Sequence, residues 1–278
     1  MKPSLNGTIL GGGLSALEQF ELASKVGLPG VDTGIEAIAA MVEEKSIDGV
    51  KEYFAELNVQ PGVWGLSVNW REDEDTFKAG LANLPAQAKL GQEIGCPRTC
   101  TWIPPTTEDP AAFRKIAVRR FAECGRILGE HGVRLGLEWV GPATSRGNSP
   151  DFIYRMDQLL EMEEEMGEPN IGLLVDSFHW FTAGHTQAEL EALPVEKVVH
   201  VHLHDATADR TAEEQLDMER LLPGEGQIDL KAFLGALKKI GYGDYMGLET
   251  FSTELTQLPP EVSALRAKKA ADSVLALI

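Results

Sequence analysis

The sequence predicts an α/β fold, a single (β/α)8 barrel spanning residues 1–278. Three observations carry that expectation. Eight short apolar runs alternate with amphipathic helical stretches. Dividing 278 residues by eight leaves about 35 per unit, which suits one strand, one helix and two loops. Strict alternation also implies parallel strands, because each needs a helical crossover to reach the next. A doubly wound open sheet shares the alternation but usually carries G-x-G-x-x-G after its first strand, and GGGLSA, beginning at Gly11, lacks that spacing.

In chain order the strand runs are Leu5–Leu10, Gly30–Ile35, Val63–Val68, Thr99–Ile103, Arg134–Val140, Ile171–Ser177, Lys197–His204 and Tyr245–Phe251. Asp109-Pro110 and Ser149-Pro150 each set a capping side chain before a proline suited to a first helical turn. The first opens an amphipathic stretch from Ala111 to Glu130 that ends near Gly132, and Glu261 to Ile278 reads as the last outer helix. No Ser/Gly tract or low-complexity segment divides the chain.

Composition removes several function classes. The 25 Lys+Arg against 43 Asp+Glu leave a formal net charge of −18. Binding to nucleic acid or to an anionic membrane surface leans on Lys and Arg, so both partners are disfavoured. Cys96, Cys100 and Cys124 form no disulfide pattern, the N-terminus lacks a secretory apolar core, and no run reaches the ~18 residues a bilayer span needs. A cytoplasmic protein is expected.

Reactive groups of such barrels sit at the C-terminal strand ends. There, polar residues interrupt four consecutive apolar strands. RLGLEWVGP delivers Glu138, IGLLVDSFHW delivers Asp176 and His179, KVVHVHLHDA delivers His202, and YMGLETF delivers Glu249. A carboxylate inside an apolar strand costs several kcal/mol to bury unless a cation or hydrogen bonds compensate it. One divalent metal ion is the simplest compensation. Three carboxylates and one imidazole form an oxygen-rich set that favours Mn²⁺, with Mg²⁺, Co²⁺ or Zn²⁺ as alternatives. A set of hydrogen-bonded structural carboxylates would have to repeat at four strand ends.

Taken together, GLEWVGP, VDSFHW, VHLHD and GLETF, with the later loop PGEGQID, resemble the sugar isomerase and epimerase family of xylose-isomerase-like barrels, which includes ketose 3-epimerases, hydroxypyruvate isomerase and inosose dehydratase. The resemblance runs from about residue 133 to 251 and reaches the N-terminal half only through barrel rhythm. It implies that Glu138, Asp176, His202 and Glu249 ligate one metal, and that Glu138 and Glu249 double as the acid/base pair. It also implies that His179 and Arg220 contact substrate. A metal holding a carbonyl and its neighbouring hydroxyl would stabilise the enediolate left by α-proton abstraction. Endonuclease IV, a distant relative, adds histidines for a three-zinc cluster; VDTGI, VWGLSV, TCTWI and the loop Thr207–Leu222 contain none.

His200, His202 and His204 alternate along one strand. His204 is expected either at substrate or capping the next loop, and His200 as a satisfied core group one layer deeper. Trp102 and Trp180 are candidate platforms for a sugar's C–H face. Asp205 to Gln227 is long enough for a lid, and the acidic run Glu161–Glu168 reads as a solvated helix face. The expected function is a metal-dependent isomerase or epimerase of a small sugar or sugar derivative. A lyase of the inosose dehydratase type and a non-catalytic sugar-binding barrel are the alternatives. A homodimer or homotetramer is left open.

Overall fold

A computed structural model describes residues 1–278. Its strands are β1 (Lys2–Asn6), β2 (Gly30–Thr33), β3 (Gln60–Gly65), β4 (Arg98–Trp102), β5 (Arg134–Glu138), β6 (Ile171–Asp176), β7 (Val198–His202) and β8 (Tyr245–Leu248). They close into a parallel barrel in sequence order, β8 pairing with β1. Helices α1 (Ala16–Val26), α2 (Ile35–Leu57), α3 (Glu74–Glu93), α4 (Pro110–Glu130) and α5 (Met156–Met166) cover the first five crossovers. Two short helices, α6 (Ser177–Thr182) and α7 (Gln187–Glu191), follow β6; α8 (Leu230–Ile240) follows β7, and α9 (Thr253–Gln257) and α10 (Pro260–Leu275) close the chain. No helix is long and apolar enough to cross a membrane.

All eight expected strands are present, with shifted ends. Leu5–Leu10 is displaced most. The Asn6 side chain accepts a hydrogen bond from Thr8 N–H and turns Gly7–Leu10 into a 3-10 helix, so β1 occupies Lys2–Asn6 instead. Asp109 caps α4 through Ala112 N–H as expected. Ser149-Pro150 does not open a helix. That segment runs extended, with Phe152 N–H donating to Pro105 and Thr107 N–H donating to Pro150, and α5 starts only after Arg155. On α5 the acidic run is not wholly solvated, because Glu163 is buried and accepts from Lys197 Nζ.

Strand alternation sorts the side chains. Leu135 and Leu137 of β5, and Leu173 and Val175 of β6, enter the large core between sheet and helices. Their neighbours Glu138, Leu174 and Asp176 turn to the barrel interior. Val63, Cys100, Leu174 and Val199 form a separate small apolar cluster, and three of them border the cavity above, so they make its floor.

Candidate metal centre

Glu138, Asp176 and His202 are the last residues of β5, β6 and β7, and Glu249 follows β8 directly. One ligand-capable atom from each lies within 4.8 Å of all the others. His202 Nδ1 is the hub: Glu249 Oε2 is 3.2 Å away, Glu138 Oε1 3.6 Å and Asp176 Oδ2 3.9 Å. A divalent ion with bonds of ~2.1 Å sets its donors about 3–3.5 Å apart, so these spacings suit one ion in the middle. Glu138 Oε1 and His202 Nδ1 are buried without a hydrogen-bond partner, which is the mark of atoms aimed at a group outside the protein chain. The residues present therefore fit a divalent metal. Their electrostatics ask for one as well. Burial pushes the Glu138 carboxyl well up, and the charge of Asp176 adds to it. For His202 burial acts the other way, but Glu249 and Glu138 outweigh it and hold the imidazole cationic. A proton on His202 thus occupies the place of the positive charge that three converging carboxylates require.

Behind the quartet, Arg220 and two histidines brace Asp176. Asp176 caps α6, its Oδ1 accepting from Phe178 N–H at 2.7 Å and His179 N–H at 2.9 Å. Its Oδ2 faces His204 Nε2 at 2.7 Å and Arg220 Nη1 at 3.4 Å. Burial alone would raise Asp176, yet His204 and Arg220 bring it well below the usual carboxylate range. Glu249 is treated similarly, as His202 and Arg220 overcome the effect of its burial. Arg220 is itself held by Asp217, Nη2 donating to Oδ1 at 2.7 Å, and lies over the Phe251 ring. His179 accepts from Gly141 N–H through Nδ1, and burial lowers its imidazole to about 4, so it is neutral.

A cavity of about 610 Å³ opens beside the quartet. Glu138, His202, Glu249 and Trp102 border it, so the structure brings these expected residues to one cavity. Trp102 is 44% exposed, and the Arg71 guanidinium stacks 3.9 Å from its ring centre. The other expected residues do not line this cavity. Trp180 is buried against Phe233, its indole N–H donating to the Thr186 carbonyl, and serves packing between α6 and α8. His204 is buried with both ring nitrogens engaged, one on Asp176 and one on the Glu249 carbonyl, so it holds the quartet rather than substrate. His179 and Arg220 are buried against the carboxylates and do not line the cavity, so they reach it through the groups they hold. His200 is deep, as expected, but not satisfied, because neither ring nitrogen has a partner.

Several cavity residues escaped the sequence reading: Asn6, Gln19, Thr33, Thr101 and Asp32. Only Asp32 gave the signal used for the others, a carboxylate within an apolar strand.

The residues from 20 to 274 match the model of the xylose isomerase-like TIM barrel family. The chain belongs to that family. An inosose isomerase of Bacillus velezensis is 25% identical over 263 residues, 93% of this chain and 91% of that protein. A 3-dehydroshikimate dehydratase of Pseudomonas putida matches over half of this chain, 26% identical, but only 22% of that longer protein. Of solved structures, a xylose isomerase domain protein from Alicyclobacillus acidocaldarius superposes with TM-score 0.92 at 31% identity, covering 100% of this chain and 99% of the other. The IOLI protein with a bound zinc atom gives TM-score 0.81 at 25% identity, over 99% and 98% of the two chains.

Proposed function

We propose that the protein is a metal-dependent isomerase or epimerase of a neutral sugar or cyclic sugar derivative. The observation that carries this reading is the convergence of Glu138, Asp176 and Glu249 on His202 Nδ1 at the cavity wall. The inosose isomerase relative, which spans nearly the whole chain, and the zinc-bearing IOLI protein support the reaction class and the metal. A divalent ion bound there supplies Lewis-acid charge beside the substrate oxygens.

The protein's own groups do the rest. Glu138 and Glu249 approach His202 from different strands and are the two carboxylates able to take the α-proton and return one. Their environments differ before any ion is bound: burial raises the Glu138 carboxyl, whereas His202 and Arg220 lower that of Glu249, and a bound cation would favour the carboxylate form of both. Asp176, clamped by His204 and two backbone amides, cannot turn away to act as a base. The rim formed by Asn6, Gln19, Thr33 and Thr101 offers neutral hydrogen-bonding groups, and no Lys or Arg lines the cavity. A phosphorylated or carboxylated substrate would meet the carboxylates of Asp32, Glu138 and Glu249 in the lining, with no Lys or Arg among the lining residues to pair with it directly.

The test is solvent deuterium entry into neutral ketoses and inososes after chelator dialysis and re-addition of Mn²⁺ or Zn²⁺. Exchange is expected with metal and lost without it. Glu249→Gln is expected to lower exchange by roughly 10²–10⁴-fold while retaining the fold. Metal-independent exchange, or a fully active Glu249→Gln, would overturn the assignment. The dehydratase relative favours a second reading, in which the same proton abstraction is followed by loss of a β-hydroxyl. A growing conjugated enone absorbance would select it. Ligand-induced thermal stabilisation without any exchange would instead mark a binding barrel.

A further inference from the structure

Beneath the quartet lies a second polar group that the proposed reaction does not use. Asp32, the penultimate residue of β2, is 8% exposed. Its Oδ1 accepts a 2.7 Å hydrogen bond from Ser4 Oγ on β1. Its Oδ2 is buried with no partner, and His200 Nε2 stands 3.4 Å away, also without one. Ligand-capable atoms of Asp32, His200 and His202 lie within 4.8 Å of one another. An unpaired buried carboxylate oxygen costs free energy, so its retention calls for a partner.

The surrounding backbone is cleared for this carboxylate. A Cβ at Gly62 would collide with Asp32 Oδ1, and one at Gly247 with Asp32 Oδ2. The same Cβ at Gly247 would stand 3.2 Å from His202 Nε2 and 2.9 Å from its Cδ2. Asp32 Oδ2 and the Nε2 edge of His202 therefore border one small space, on the side of the ring away from Nδ1 and its carboxylates. A neutral imidazole that gives its Nδ1 lone pair to a metal must carry its proton on Nε2. An N–H there would lie beside this space, where Asp32 Oδ2 is an anionic acceptor without a partner, to be reached through one bridging water or a small shift of the ring.

We infer that Asp32, fixed by Ser4, is a positioning residue for the metal centre: it accepts from His202 Nε2–H and so sets the tautomer and tilt with which His202 presents Nδ1. Carboxylate partners of this kind hold metal-binding histidines in a single orientation, and their removal typically lowers metal affinity 10–100-fold. The inference rests on the quartet being a metal centre, but its readout is metal binding and not turnover.

The experiment measures the Zn²⁺ and Mn²⁺ dissociation constants of the full chain by chelator competition, with stoichiometry by elemental analysis. Wild type, Asp32→Asn, Asp32→Leu and Ser4→Ala are compared, and circular dichroism of each reports the fold. Wild type is expected to bind one ion. Asp32→Leu should weaken binding by roughly 10–100-fold, Asp32→Asn less because its amide oxygen still accepts, and Ser4→Ala least. The Co²⁺ visible spectrum of Asp32→Asn should shift, as a purely structural role would not require. Unchanged affinity in folded Asp32→Asn and Ser4→Ala would overturn the inference. So would two ions in wild type falling to one in Asp32→Asn, which would make Asp32 and His200 ligands of a second metal. A wild type that binds no metal would overturn the metal centre itself, whereas normal metal affinities with no sugar exchange would leave Asp32's role standing and defeat only the proposed reaction.

Discussion

The strands β5, β6 and β7 end on Glu138, Asp176 and His202, and β8 is followed by Glu249; β1 to β4 end on Asn6, Thr33, Gly65 and Trp102. One half of the barrel mouth is thus ionic and cross-braced, with Arg220, His204 and His179 behind it. The other half is neutral, and its single carboxylate, Asp32, lies below the rim. For the proposed reaction the difference amounts to a division of labour. Bond-making groups have to be held rigidly in a field of opposing charges, while a surface that reads shape needs hydrogen-bonding atoms and an aromatic face.

Four changes test that division. The largest effect is expected for Asp176→Ala, which leaves Arg220 and His204 without their shared counter-charge. A loss of about 3–5 kcal/mol in urea unfolding is expected, together with loss of metal. A change below about 1 kcal/mol, under the cost expected for breaking such a pair, would show that the ionic half is not braced through this carboxylate. On the neutral half, Trp102→Ala should raise KM by about tenfold at little cost in kcat or stability, since the ring is exposed and offers stacking area. A collapse of kcat with KM unchanged would move Trp102 into the chemical half. Trp180→Phe is the matched control. It should destabilise by roughly 1–2 kcal/mol through lost packing and the lost indole hydrogen bond, and leave KM unaltered.

The smallest effect lies on the outer wall of the neutral half. There Arg119 and Arg120 hold the Glu74 carboxyl down to about 2. A depressed carboxyl adds stability above its unfolded value of 4.5, and that stability disappears as pH falls towards 2. The stability gap between wild type and Glu74→Gln should therefore be constant above pH 5 and close on acidification. A gap that widens in acid would contradict the pairing.

Much of the ionic half was legible in the sequence, because a charged residue inside an apolar strand is conspicuous and four in succession have few explanations. The neutral half was not. Asn6, Thr33 and Thr101 are ordinary loop or strand residues until closure of the barrel turns them towards one cavity. His204 could not be assigned between substrate and the next loop because β7 ends at His202, and beyond a strand's last residue alternation no longer predicts direction. Trp180 was misplaced for a related reason: β6 passes directly into α6 through the Asp176 cap, so the helical turn carries the indole outwards. The Ser149-Pro150 signal was locally sound, but pairing of its neighbours with Pro105 and Thr107 prevailed.

Asp205 has a consequence for engineering. Its carboxylate accepts from the backbone amides of Ala206, Gly224, Gly226 and Ile228, so one side chain clips both ends of the long segment after β7 together. Within that clip Arg220 also anchors to the Phe251 carbonyl through its own amide. The segment is therefore a cassette with a built-in clasp: moving it into another barrel would need Asp205 and its four amides, and also acidic partners for Arg220 like Asp176 and Glu249.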